Sequence, residues 1–368
     1  MKRLFDPVFR ASALGVGPDV PAWRRLWRWV QYGFFYTPLS RWTFRVIDAV
    51  KPAVIAPDHL YPHEGAQGEL VEDEGQLFDE SRGIGVAYFS QRLATPEGPV
   101  PVIIYSIPMD WGPGRRPGSI TYLREAIVRA GYFLIRIQHM ESDAQIIDPD
   151  FMKGKDPTRE MAKAVADPSR AHNRFLDISF VIDELTRWNA PGGRLEGQLD
   201  LGRIGLCGHS YGARTLLALA GRHEAAHQAN YKDARVRAGI SYSVTQIDGS
   251  CPDEDFAAID IPIMHMGGTR DIAWSNPSLM ADRFWAYEKS SAADQYKLIM
   301  NRIDHVAFTG GRGDASKARD LELAAYRFIR AATLAFWDAH LRADVPAQRW
   351  LKTEFPRILG RAGRLSWK

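Results

Sequence analysis

Residues 208–212 read Gly-His-Ser-Tyr-Gly, so that a serine stands between two glycines at a spacing of two. The short apolar run 204–207 before them is typical of a buried strand, and residues 213–221 after them have the periodicity of a helix. A serine at a sharp strand-to-helix turn needs small neighbours, because a side chain on either flanking residue would collide with the strand or the helix. The pattern predicts that Ser210 projects alone as a nucleophile. A glycine-rich turn with an incidental serine is the alternative.

A serine hydroxyl needs a base to take its proton and a third group to orient that base. With the serine first in the chain, the acid and the histidine should follow it at the carboxyl ends of later strands. Asp271 comes a few residues after the apolar run 259–266, and His305 lies in the loop after the predicted strand 296–300. We therefore predict His305 as the base and Asp271 as the acid. Asp248, which also follows a predicted strand, is the alternative acid.

Acyl transfer to serine also requires N–H donors that bind the oxyanion of the tetrahedral intermediate. The backbone N–H of Tyr211, at the start of the helix, is predicted to be one donor. The second should come from the loop after the strand 100–106. Because Pro108 has no N–H, the N–H of Met109 is predicted to supply it.

Several further residues belong near this predicted site. Trp111 and Trp274 are predicted to line the substrate cleft, as is His139, which ends a predicted strand. His209 should point away from the serine and have a structural role. His265, inside a strand, is predicted to be a hydrogen-bonded core residue.

The surrounding chain alternates between strand and helix patterns. Runs of strand length occur at 83–90, 100–106, 132–137, 236–244, 259–266 and 296–300, and helical patterns at 119–130, 169–188 and 316–342. Near-continuous apolar runs favour strands covered on both faces, and strand–helix–strand order favours a doubly wound, mostly parallel α/β sheet. Residues 141–168, charged and interrupted by Asp-Pro pairs, are predicted to form a lid-like excursion over the sheet.

Residues 1–77 differ from the rest and are predicted to be an aromatic and basic extension, with the catalytic domain at 78–368. Trp23, Leu26, Trp27 and Val30 recur at helical spacing, with arginines on the other faces. We expect this helix to pack on its own domain as a cap. Contact with a second copy of the chain, or peripheral contact with a membrane, is the alternative. Residues 61–76 are predicted to be a linker or loop.

The overall composition narrows the class of protein. The chain has 368 residues, 45% hydrophobic and 25% charged, which suits a large α/β domain with an appendage. Its net charge of +3 does not favour a nucleic-acid partner. Cys207 and Cys251 form neither a disulfide framework nor a zinc-binding spacing. Since there is no secretory-signal pattern and no long apolar run, we predict a cytoplasmic protein without metal or cofactor.

Taken together, these residues resemble those of the α/β-hydrolase superfamily. The resemblance covers about residues 78–355 and rests on the strand 100–106, Gly131-Tyr132, residues 208–212, Asp271, Asp304-His305 and the ending 335–341. Within that superfamily the chain is similar to the dienelactone-hydrolase-like and platelet-activating-factor-acetylhydrolase-like serine esterases. The resemblance implies cofactor-free hydrolysis of a carboxylic ester of a small molecule, through an acyl-enzyme on Ser210.

Three features depart from that family pattern. Ile107-Pro108 stands where such esterases commonly have His-Gly, dienelactone hydrolases proper use a cysteine where this chain has Ser210, and residues 1–77 have no counterpart. Cys207 is predicted to be an inert core thiol. An acyltransferase or a cyclising thioesterase would use the same acyl-enzyme. A non-catalytic binding protein of the same fold is the alternative from another class.

Overall fold

A computed structural model of the chain describes residues 43, 56–57, 60–62, 65–109, 120–139, 167–225, 227–244, 252–271, 283–310 and 320–368. Within them, nine strands form one sheet: β1 (Leu70–Asp79), β2 (Ile84–Leu93), β3 (Val100–Ser106), β4 (Phe133–Gln138), β5 (Leu199–His209), β6 (Val236–Tyr242), β7 (Ile263–Arg270), β8 (Gln295–Asp304) and β9 (Gly363–Trp367). The helices are α1 (Arg124–Arg129), α2 (Pro168–Asn189), α3 (Tyr211–Leu219), α4 (Trp285–Lys289), α5 (Asp320–Leu341) and α6 (Val345–Leu359).

The sheet is mixed and mostly parallel, in the order β1-β2-β4-β3-β5-β6-β7-β8-β9. The six central strands from β4 to β8 run parallel, whereas β1 and β2 at one edge and β9 at the other pair antiparallel. Parallel strands carry their carboxyl ends at one edge of the sheet, so the residues that follow β3, β5, β7 and β8 meet there. The predicted α/β class with a mostly parallel sheet is confirmed.

Two apolar cores cover the two faces of the sheet, and the strands contribute to both by alternation. Along β3, Ile103 and Tyr105 belong to the core that contains α1, α5 and α6, whereas Val102 and Ile104 belong to the core that contains α2 and α3. Because successive side chains of a strand point to opposite faces, a near-continuous apolar run is what a strand between two helical layers requires. This double coverage holds the central strands rigidly and fixes the ends that carry the candidate site.

The predicted linker at 61–76 is wrong over its second half, where β1 pairs along its whole length with β2. The sequence pattern does not show this strand, because residues 72–76 are exposed and polar, as an outer strand allows. The boundary that we placed between residues 77 and 78 falls inside β1. The sequence also failed to predict α6 and β9, which extend the structure beyond the expected last helix.

Other expectations fall partly or wholly outside the described residues. The tryptophan and arginine helix around residues 23–30 and the excursion at 141–166 lie outside them. The helix predicted at 169–188 is present as α2, whereas the helix predicted at 119–130 is regular only over the six residues of α1. Within the described ranges, no helix combines the length and the apolar character that crossing a bilayer would require.

Candidate active site

Ser210 lies at a strained turn between β5 and α3. Its backbone has φ 58° and ψ −114°, a conformation that is rare for residues other than glycine, and its N–H is held by the Tyr242 carbonyl at 3.0 Å. The turn is tight enough that a Cβ on Gly212 would lie 2.0 Å from the Ser106 carbonyl oxygen. The glycine therefore lets the helix start directly against the end of β3. The structure agrees with the predicted strand, turn and helix around this serine.

The structure brings Ser210, His305 and Asp271 together, as the sequence predicted. His305 Nε2 lies 3.0 Å from Ser210 Oγ, and His305 Nδ1 lies 3.0 Å from Asp271 Oδ1. Asp271 directly follows β7, and His305 directly follows β8. The two ends approach closely because Gly268 faces β8, where a Cβ would lie 2.1 Å from the Ile303 carbonyl oxygen. Ser210 stays partly exposed beside this pair, which leaves its hydroxyl accessible.

Two further side chains, Ser243 and Arg283, contact the carboxylate, and neither was predicted from the sequence. The Ser243 hydroxyl donates to Asp271 Oδ1 at 2.8 Å, and its oxygen lies 2.5 Å from His305 Nδ1. Arg283, which is 1% exposed, places Nε 2.7 Å from Asp271 Oδ1 and donates to the Val244 carbonyl through Nη1. Ser243 could have been predicted, because it lies just beyond β6, at the edge of the sheet where the other site residues meet. Nothing in the pattern around Arg283 marked it.

Burial and the neighbouring charges determine the protonation of Asp271 and His305. Burial alone would raise the pKa of Asp271, but the Arg283 guanidinium and the hydrogen bonds from His305 and Ser243 outweigh it and lower that pKa to about 2. For His305, burial and then the charge of Arg283 lower the pKa below its ordinary value, although Asp271 acts in the opposite direction. The arrangement therefore combines an ionised carboxylate with a neutral imidazole, which can accept a proton from the Ser210 hydroxyl.

The two predicted oxyanion donors lie on segments that touch each other. Tyr211 is the first residue of α3, where a helix has no carbonyl of its own for the N–H. Beyond β3, the Ile107 N–H donates to the Ile137 carbonyl at 3.3 Å and Pro108 has no N–H. Met109, which is buried, thus carries the first N–H after β3 that takes no part in the sheet. Its role as a donor stays a prediction.

The remaining predicted residues are placed as follows. The prediction that His139 lines a cleft is wrong. Its ring is buried between Ser106, at the end of β3, and Asp177, on α2. Trp111 and Trp274, predicted to line the same cleft, lie outside the described residues, as does the alternative acid Asp248.

Two further histidines and one cysteine have the structural roles that the sequence predicted. His209 Nε2 donates to the His305 carbonyl at 3.0 Å and so supports the loop that carries the imidazole. His265 bonds to Gln295, and burial lowers its pKa to about 4, as expected for a core residue. Burial raises the pKa of the Cys207 thiol far above its ordinary value, which makes it unreactive.

Comparisons with known proteins do not assign the chain to a family. No protein-family model matches the chain, and no curated protein matches it.

Proposed function

We propose that this protein is a serine hydrolase of the α/β-hydrolase type that cleaves a carboxylic ester through an acyl-enzyme on Ser210. One observation carries the proposal. The hydroxyl, imidazole and carboxylate are joined by two hydrogen bonds of 3.0 Å, with the serine at a strained turn. A chance cluster of a serine, a histidine and an aspartate would require neither the positive φ nor the imidazole between the two oxygens.

The reaction follows from the roles of these groups. Ser210 Oγ attacks the acyl carbonyl carbon while His305 Nε2 takes the hydroxyl proton, and the Tyr211 and Met109 N–H groups bind the resulting oxyanion. The alcohol leaves with the proton that His305 returns to it. His305 then takes a proton from a water molecule, whose oxygen attacks the acyl carbon. The bond from that carbon to Ser210 Oγ breaks, Oγ takes the proton back from His305, and the acid leaves. Asp271 holds the imidazole with Nδ1 protonated and stabilises its positive charge.

The proposed family placement, among the dienelactone-hydrolase-like and platelet-activating-factor-acetylhydrolase-like esterases, rests on the sequence resemblance. The mostly parallel sheet and the Ser, Asp, His order along the chain support the α/β-hydrolase part of this placement. We also propose a small-molecule acyl substrate, on the basis of this resemblance. The proposed cytoplasmic location rests on the sequence pattern alone.

Labelling with a fluorophosphonate probe tests the proposal. We expect the probe to modify the wild-type chain once, on the peptide that contains Ser210, and to leave Ser210→Ala unmodified. Mass spectrometry of the digested protein locates the adduct, and circular dichroism checks that the variant keeps its fold. Ser90→Ala, which changes a buried serine on β2, is the matched control and should label like the wild type. An unlabelled wild type, as a non-catalytic binding protein would give, would contradict the proposal.

Replacing Arg283 should change the pH dependence of the reaction. The Arg283 charge lowers the pKa of His305, so Arg283→Met should raise that pKa and move the acid limb of kcat/KM to higher pH. Loss of a buried partner of Asp271 should also lower the free energy of unfolding by about 3–5 kcal/mol. A pH profile of ester hydrolysis, with a denaturant titration, measures both effects.

The conservative variant separates charge from packing. Arg283→Lys keeps the positive charge and should leave the acid limb closer to that of the wild type than Arg283→Met does. If the acid limb is the same in all three proteins, the electrostatic role of Arg283 is wrong.

A further inference from the structure

A second buried chain of serine, histidine and aspartate lies behind β3. His139 Nε2 is 2.9 Å from the hydroxyl of Ser106, the last residue of β3, and His139 Nδ1 is 2.7 Å from Asp177 Oδ2. Arg82 Nη1 donates to the other carboxylate oxygen of Asp177 at 2.8 Å. Ser106, His139 and Asp177 are each at most 1% exposed. We call these four residues the β3 network.

The β3 network is not a second nucleophilic site. Ser106 is fully buried and belongs to a regular strand, so no substrate carbonyl reaches its hydroxyl. Its imidazole has a defined role all the same. Since a carboxylate only accepts, Nδ1 donates to Asp177, and Nε2 bonds to the Ser106 hydroxyl. The chain of bonds therefore ties the end of β3 to helix α2 and, through Arg82, to the turn between β1 and β2.

A second contact from α2 reaches the same place. Arg174, one turn before Asp177, donates through Nη2 to the Ile107 carbonyl, and its guanidinium carbon lies 4.7 Å from the centre of the Tyr211 ring. Arg174 is fully buried. One helix thus holds both the residue after β3 and the first residue of α3, the two segments that carry the proposed oxyanion donors.

These contacts restrict the direction of the Met109 N–H. Ile107 is fixed at both ends, because its N–H is bonded to Ile137 and its carbonyl to Arg174. The ring of Pro108 then fixes its own φ. Only the ψ angle of Pro108 is left to set where the Met109 N–H points. Ile107-Pro108 departs from the family pattern. With Ile107 held at both ends, this sequence is still compatible with a Met109 N–H that points toward the oxyanion.

We infer that the β3 network, together with Arg174, positions the Met109 N–H for the oxyanion formed at Ser210. This inference rests on the proposed function and adds positioning residues to it. A donor that is displaced loses its effect mainly in the tetrahedral state, where negative charge is greatest, and much less in the bound ester. Disrupting the network should therefore lower kcat with little change in KM.

The test compares Ser106→Ala and Asp177→Asn with the wild type. Hydrolysis of p-nitrophenyl acetate gives kcat and KM, and inhibition by a trifluoromethyl ketone, which forms a tetrahedral adduct with an active serine, gives Ki. We expect kcat/KM to fall about 10- to 100-fold in each variant, with KM changed less than about 3-fold and Ki raised in proportion. A network that only stabilises the fold would change the melting temperature and leave Ki unchanged.

Asp338→Asn is the matched control. Asp338 is also a buried carboxylate on a long helix, and it bonds to Tyr132 at 2.8 Å and to Arg342 at 2.8 Å on the other face of the sheet. It should lower stability while leaving kcat and Ki within about 2-fold of the wild type. Ser106→Ala removes one oxygen and is the variant to rely on if Asp177→Asn does not fold.

The outcomes separate the two proposals. If the fluorophosphonate probe labels the wild type and Ser106→Ala keeps the wild-type kcat and Ki, the positioning role is overturned and the hydrolase proposal stands. A wild type that is neither labelled nor active overturns both.

Discussion

Replacing His305 with alanine should lower kcat for an ester substrate by about 10⁴- to 10⁶-fold, since the serine then lacks the group that takes its proton. The base that the structure places beside Ser210 Oγ is His305 Nε2, at 3.0 Å. Stability should change much less than activity, because Asp271 keeps its contacts with Arg283 and Ser243 when the imidazole is removed. Steady-state kinetics with p-nitrophenyl acetate, after removal of any wild-type contamination, measures the effect.

His265→Gln is the control for this prediction. His265 is also buried, bonds to Gln295 and lies on β7, so its loss perturbs the core without contacting Ser210, His305 or Asp271. We expect its kcat to stay within about 3-fold of the wild type. A His305→Ala protein that retained a tenth of the wild-type kcat would rule out His305 as the base.

Gly212→Ala should both destabilise the protein and reduce its activity. The added Cβ would lie 2.0 Å from the Ser106 carbonyl oxygen, and a backbone atom held in a strand cannot rotate away as a side chain can. The end of β3 must then separate from α3, which moves the two proposed oxyanion donors apart. We expect the free energy of unfolding to fall by about 1–3 kcal/mol, and kcat to fall about 10- to 100-fold.

Denaturant titration and steady-state kinetics measure the two parts of this prediction. Gly98→Ala is the matched control, because nothing lies within 4 Å of its added Cβ. It should change the free energy of unfolding by less than about 0.5 kcal/mol. Equal effects at both positions would show that the tight contact at Gly212 has no energetic consequence.

The fold could be predicted where local pattern and tertiary environment agree. β3 was placed at its observed bounds, because a strand covered on both faces is apolar without interruption. β1 was missed because an outer strand needs no apolar residues over 72–76 and is held by the backbone bonds of β2. Because this pairing is made by backbone groups, the side chains of β1 carry no sign of it.

The candidate site divides in the same way. Ser210, Asp271 and His305 could be found because glycines and strand ends mark their positions along the chain. Arg283 could not, because its role depends on a side chain reaching the ends of β6 and β7 from a segment without a pattern. His139 was assigned to the wrong environment for a related reason. A histidine at a strand end can face a cleft or a helix, and the partner Asp177 that decides between them is 38 residues away.

The outer strand β1 has a consequence for how copies of the protein meet in concentrated solution. Glu72, Asp73 and Glu74 are exposed along this margin of the sheet. Two molecules approaching side by side through β1 would bring carboxylates of like charge against each other, which disfavours the continuous pairing that leads to aggregates.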